Sequence, residues 1–222
     1  MPNNLKYRLC GQTLVLLADR ALFWQEAKTL VVADAHFGKA HTFRSAGIPV
    51  PPGTTATDLE RLSHLVDRWH PQRLLFLGDL IHGPVDAAPD FDRSIAAWRK
   101  RYKRLQLLLV TGNHDRRAGA LPLAFQFDGI QEQWASTPFC FTHRPQANNR
   151  HYGIAGHLHP AVQVTGKGRQ RETLACFRFG KQSALLPAFG SFTGRQVIRP
   201  ASGDRVFVVA EETVLDLSAT AL

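Results

Sequence analysis

Asp34-Ala35-His36, Gly78-Asp79, Gly112-Asn113-His114-Asp115, Thr142-His143 and Gly156-His157-Leu158-His159 follow one another along the chain. They pool seven donors: Asp34, His36, Asp79, Asn113, His143, His157 and His159. Oxygen and imidazole donors without thiols form a borderline-hard set that suits Mn2+, Fe2+, Co2+ or Zn2+. Seven donors are too many for one tetrahedral ion and match two octahedral ions that share a carboxylate. Side chains two apart at a strand end point the same way, so Asp34 and His36 can converge, as can His157 and His159. Gly78, Gly112 and Gly156 let the backbone turn tightly beside the ions. The chemistry such a site offers is metal-assisted hydrolysis.

Each motif closes an apolar run of strand length. The runs are Thr29–Ala33, Arg73–Leu77, Gln106–Val110, Phe139–Thr142 and Tyr152–Ala155. Further strands are expected at Thr13–Ala18, Glu172–Phe179, Ser183–Phe189 and Arg205–Val209. Leu59, Leu62, Leu65, Val66 and Trp69 mark an amphipathic helix over Thr57–Trp69, closed by Pro71. Ile95, Trp98, Tyr102 and Leu105 mark another over Phe91–Leu105. Strand–helix–strand alternation is the pattern of a parallel or mixed α/β sheet. Ligands of such sheets bind outside the carboxyl ends of the strands, where all five motifs fall. Two loops, Gly47–Gly53 and Gly83–Pro89, are placed to border the site.

Composition sets the frame. The chain has 222 residues, 44% of them apolar and 20% charged, which fits one domain spanning residues 1–222. Lys and Arg exceed Asp and Glu by 27 to 18, a net charge of +9 that attracts polyanions. Cys10, Cys140 and Cys176 show no CxxC spacing, so neither a disulfide framework nor a cysteine zinc site is expected. No run approaches the ~20 apolar residues of a membrane span. Met1 to Gly11 lacks the apolar core of a signal peptide. The expected location is the cytoplasm, with no membrane partner.

The series of five motifs resembles the calcineurin-like metallophosphoesterase superfamily. More narrowly, the chain is similar to the DNA-ligase-associated metallophosphoesterases. That resemblance rests on Asp34-Ala35-His36-Phe37-Gly38-Lys39, Arg44, Gly47-Ile48-Pro49, Pro52-Gly53 and the stretch Leu186 to Gly194. Many superfamily members read Gly-Asp-x-x-Asp, whereas here His82 stands in place of the second acid. It is expected either to support the ligands from behind or to face the substrate. The resemblance implies an α/β fold of two mixed β-sheets packed as a sandwich and flanked by helices. It implies that Asp34, His36 and His159 hold one metal, that Asn113, His143 and His157 hold the second, and that Asp79 bridges them. It further implies a manganese-dependent phosphodiesterase and single-strand DNA endonuclease. Its functional associates would be the DNA ligase, helicase and exonuclease of a bacterial repair cluster. The alternative on the same donors is a small-molecule phosphoesterase acting on nucleotides, cyclic phosphodiesters or phosphomonoesters. A catalytically silent scaffold would show broken motifs, and none is broken.

Two divalent ions clamp a phosphate and acidify a water for in-line attack. His114 then protonates the leaving oxygen or stabilises charge, and Asp115 is expected to fix its tautomer. Lys39, Arg44, Arg116 and Arg144 are candidate contacts to a DNA backbone, with Arg117 and Arg150 nearby in sequence. Arg99-Lys100-Arg101 with Lys103-Arg104 reads first as a solvated helix face and second as a DNA-tracking patch. Tyr152 and Phe37 lie beside ligands, where core packing is expected ahead of base stacking.

Overall fold

Parallel strands covered on both faces read as unbroken apolar runs, and the runs that lead to the first three motifs pair in that way. The computed structural model describes residues 3–45, 47–50, 54–83, 89–146, 150–166 and 170–218. Among these, the first sheet holds β1 (Leu5–Leu9), β2 (Gln12–Leu17), β3 (Ala21–Trp24), β4 (Thr29–Ala33), β5 (Arg73–Leu77), β6 (Gln106–Val110) and β7 (Gly129–Gln131), hydrogen-bonded in that order. Strands β1 to β4 run antiparallel, and β4 to β7 run parallel. The second sheet holds β8 (Gln133–Ser136), β9 (Phe139–Thr142), β10 (Tyr152–Ala155), β11 (Pro160–Thr165), β12 (Arg171–Phe179), β13 (Ser183–Leu185), β14 (Gln196–Val197), β15 (Arg205–Ala210) and β16 (Thr213–Asp216). Its order is β14-β11-β12-β13-β10-β9-β8, with β15 on β12 and β16 on β15. The helices are α1 (Lys39–Ser45), α2 (Thr54–Trp69), α3 (Pro89–Arg101) and α4 (Asn113–Arg117).

Alternation along each strand decides which layer a side chain joins. Val31, Ala33, Leu75, Leu77, Leu108 and Val110 meet Phe139, Phe141, Ile154, Phe177, Phe179 and Phe207 between the sheets. Their neighbours Leu30, Val32, Leu74, Phe76, Leu107 and Leu109 face the other way. They pack on Leu59, Leu62, Leu65 and Val66 of α2 and on Ile95 and Trp98 of α3. The outer face of the second sheet carries a small cluster of Val162, Cys176, Val206 and Val208 that includes no helical residue. The result is the expected α/β sandwich of two mixed sheets, with its long helices on one side.

Several boundaries differ from expectation for identifiable reasons. Helix α3 stops at Arg101, short of Leu105, because Arg99 folds back and donates to the carbonyls of Tyr102 (2.7 Å) and Leu105 (3.0 Å). That cation caps the helix C-terminus. Arg99 is therefore buried, and Arg101 pairs with Asp67 at 2.6 Å, so neither is free to track DNA. Strand β13 ends at Leu185 because the chain then crosses to the other sheet. Leu186 donates to Ala155 of β10, and Phe189 donates to Ala33 of β4. Helix α2 starts at Thr54, three residues before Thr57. The tips of the two expected site-bordering loops, residues 51–53 and 84–88, lie outside the described residues.

Candidate metal centre

The donors stand where the parallel strands end. Asp34 and His36 follow β4, Asp79 follows β5, Asn113 opens α4 after β6, His143 follows β9, and His157 and His159 follow β10. The chain leaves these strands abruptly. Asp34, His36, Asp79, His157 and His159 all have positive φ, between 41° and 69°. Such a conformation is uncommon for residues with a Cβ and costs about 1–3 kcal/mol each. Five strained residues in one place mean that the surroundings dictate their conformation. A lattice of main-chain bonds does so: Asp34 donates to Gly78 O, Gly78 to Val110 O, His36 to Asp79 O, and Gly156 to His143 O.

The glycines are required by closeness. A Cβ on Gly112 would lie 2.1 Å from Asp79 Oδ1, and one on Gly156 would lie 2.5 Å from Asp34 Oδ2. A Cβ on Gly78 would fall 1.9 Å from His143 Nδ1, and its φ of +75° disfavours any side chain.

Ligand atoms of Asp34, His36 and His159 all lie within 4.8 Å of one another, and so do those of Asp79, His143 and His157. Asn113 joins the second group, its Oδ1 lying 3.0 Å from His143 Nε2. Asp79 stands between the groups, with Oδ2 3.9 Å from His36 Nε2 and 3.5 Å from His143 Nε2. Each carboxylate gives one oxygen to a main-chain N–H and keeps the other for the centre. His157 N–H donates to Asp34 Oδ2, and His114 N–H donates to Asp79 Oδ1, both at 2.8 Å. A third group of nitrogens, His36, His82 and His114, gathers beside the first.

This arrangement fits dications. Asp34 Oδ1 is buried without a hydrogen-bond partner, 3.5 Å from His143 Nδ1, and such an orphaned carboxylate oxygen fits an ion. Burial drives His36 down to about 2 and His143 down to about 3, and it lowers His157 and His159 too. All four are thus held as neutral imidazoles, the form that donates a lone pair. Burial, reinforced by the charge of Asp79, pushes Asp34 well above the usual carboxylate range, and burial raises Asp79. A bound cation reverses that penalty.

Asp115 does not hydrogen-bond to the His114 ring. Its two oxygens accept from Gly112 N–H (2.8 Å) and Ile81 N–H (3.1 Å), so it ties α4 to the turn after β5. The His114 ring is held instead by the His82 carbonyl, 3.0 Å from Nδ1, and stacks on the His82 ring at 4.7 Å. His82 also lies 3.4 Å from His36, Nδ1 to Nδ1, and burial lowers it to about 4. Arg116 and Arg144 line, with His143, a cavity of about 380 Å³. Arg44, in the last turn of α1, is exposed and donates to Val50 O at 3.5 Å. Arg117 and Arg150 are exposed. Phe37 is buried against Phe76 and Phe125, and Tyr152 donates its hydroxyl to Gly180 O, as core packing requires.

The segment between β13 and β14 was missed as a contributor. Gly194 O lies 3.1 Å from His159 Nδ1, which leaves Nε2 for the centre. Asp58 on α2 accepts from Ser191 N–H and Oγ–H, and Arg61 donates to Phe189 O. The available sign was polar Asp58 and Arg61 on the apolar side of α2, paired at 3.2 Å.

Residues 27–185 match the calcineurin-like phosphoesterase family. The crystal structure of Pseudomonas putida nuclease MPE is similar at 39% identity and a TM-score of 0.83, covering 97% of this chain and 100% of that one. A protein of unknown function from Aquifex aeolicus reaches 17% identity and a TM-score of 0.41 over 64% of this chain and 82% of that one. The phosphoesterase Yfce from E. coli reaches 15% and 0.40 over 82% and 87%. Neither of these two carries weight here. No curated protein matches the chain. The family match starts just before β4 and ends with β13, so it encloses every strand that carries a donor, and the chain belongs to the calcineurin-like phosphoesterase family.

Proposed function

We propose that this protein is a manganese-dependent phosphodiesterase that cuts single-stranded DNA internally, in company with the ligase, helicase and exonuclease of a repair cluster. The observation that carries the reading is full-length similarity to a protein named a nuclease, joined to an unbroken donor set. The net charge of +9 supports a polyanionic substrate. Arg116 and Arg144, beside His143, supply cations where a strand would leave the centre.

In this reading Asp34, His36 and His159 hold one ion and Asn113, His143 and His157 the other, with Asp79 shared. Two divalent ions supply Lewis acidity to a phosphodiester and lower the pKa of a water. The chain's own contribution is orientation and proton transfer. With Nδ1–H given to the His82 carbonyl, His114 keeps Nε2 for the leaving oxygen. Its main-chain N–H on Asp79 ties that ring to the shared carboxylate. A single strand is preferred because its flexible backbone can bend a phosphate down onto buried donors, while a duplex presents phosphates on a stiff convex surface.

Metal-stripped protein supplied with Mn2+, Mg2+ or Zn2+ tests this against circular and linear single strands, duplex DNA and small phosphoesters. Mn2+ is expected to restore cutting of circular single strands, with duplex cut more slowly. Binding should weaken with salt by about 0.7 in log K per log salt for each phosphate neutralised. Arg116→Ala and Arg144→Ala should each make that slope shallower. Efficient hydrolysis of nucleotides or cyclic dinucleotides, with circles left intact, would assign the centre to small molecules instead.

A further inference from the structure

The centre has two unlike flanks. On the His143 side the described residues that line the cavity with it are Thr111, Arg116, Glu132, Arg144, Pro145 and Gln146, none of them aromatic. On the His36 side stand two rings. Phe43 comes from α1 and Phe192 from the segment after β13, and both remain partly exposed. They meet edge to face, with centroids 5.5 Å apart and planes at 87°. Lys39 Nζ lies 5.7 Å from each ring centroid. Phe43 lies 5.8 Å from the His82 ring, and His82 lies 5.4 Å from the His36 ring. Phe192 stands two residues before Gly194, whose carbonyl holds His159. Both rings are thereby tied to the Asp34–His36–His159 group.

We infer that Phe43 and Phe192 form a base-stacking subsite, with Lys39 as its phosphate contact, for the nucleotide next to the scissile phosphate on the His36 side. This rests on the nuclease reading and goes beyond it, because it gives the bound strand a direction and gives one base a role. Aromatic faces accept any base, so stacking adds affinity without sequence preference. A cation shared between two rings can pair with an anion that arrives with the base. On the opposite flank the described lining offers Arg116 and Arg144 to the strand, so the nucleotide there is held by its backbone. A small phosphomonoester would leave both rings in water. Phe37 and Tyr152 cannot share this role because the core and the Gly180 carbonyl engage them.

Single-turnover cutting of a single strand with one preferred bond tests the subsite. Three substrates are compared: the intact strand, and strands with one abasic residue immediately on either side of that bond. In the wild type one abasic position, and not the other, should slow cutting by about 5- to 150-fold, the worth of one stacked base. Phe43→Leu and Phe192→Leu keep apolar volume and lose the aromatic face. Each should slow cutting of the intact strand while bringing its rate close to that of the abasic strand. Phe192→Tyr should keep the wild-type ratio. A merely structural role would lower all rates and preserve the ratio, and that result overturns the subsite, as does a wild type indifferent to both abasic positions. A wild type that leaves the intact strand uncut overturns the nuclease reading, and the subsite with it.

Discussion

Asp79→Ala should abolish hydrolysis of DNA and of small phosphodiesters alike. Asp79 is 2% exposed and faces both donor groups. Removing a single preorganised electrostatic partner costs an active site about 10²–10³-fold. Asp79 would serve two ions and also holds the His114 main chain, so its loss should exceed that range. Asp79→Asn separates the causes. It keeps the oxygen that accepts from His114 N–H, so the turn stays in place, but it removes the charge. Because burial raises the Asp79 pKa, the metal-free carboxylate is penalised in the fold above its ordinary pKa. The metal-free Asn variant should therefore melt no lower than the wild type near neutral pH, while binding Mn2+ more weakly. Turnover close to normal in Asp79→Ala at ordinary Mn2+ would refute a shared carboxylate.

His114→Ala should spare metal content and slow DNA cutting by about 10²–10⁴-fold, the worth of a general acid. The ring belongs to neither of the two groups that together hold the seven donors, whose members close on one another without it. The expected signature lies in the leaving group. A DNA sugar alkoxide needs a proton as it departs, whereas nitrophenolate leaves without one. The loss on a nitrophenyl ester should accordingly be much smaller. An equal loss on both would mean that His114 binds phosphate or supports the fold. The His82 carbonyl, rather than the Asp115 carboxylate, sets the ring's hydrogen bond.

The interior of the fold was legible because its strands are covered on both faces. β4, β5, β6, β9 and β10 begin and end where the apolar runs do. Each run is followed by polar residues that the structure brings together, so strand ends and candidate donors were legible together. Strands β1, β7, β8, β14 and β16 carry exposed positions and too few apolar residues to stand out. Helix α4 is a five-residue turn and has no apolar stripe to read. Asp115 misled because sequence adjacency to His114 suggested contact. At the start of a helix, a carboxylate at that position finds the free main-chain N–H groups first. Phe43, Phe192 and Asp58 were hidden for another reason. Phe192 lies on a segment that leaves β13, crosses between sheets and comes to rest on α2 through Ser191, and Phe43 and Asp58 meet that segment. Nothing local in the sequence announces such a crossing.

Diffraction at the manganese absorption edge from crystals soaked in Mn2+ counts and places the ions in one experiment. Two anomalous peaks per chain are expected, one among Asp34, His36 and His159 and one among Asn113, His143 and His157, with the Asp79 carboxylate between them. A single peak, or two peaks away from these seven residues, would contradict a dinuclear centre in this protein.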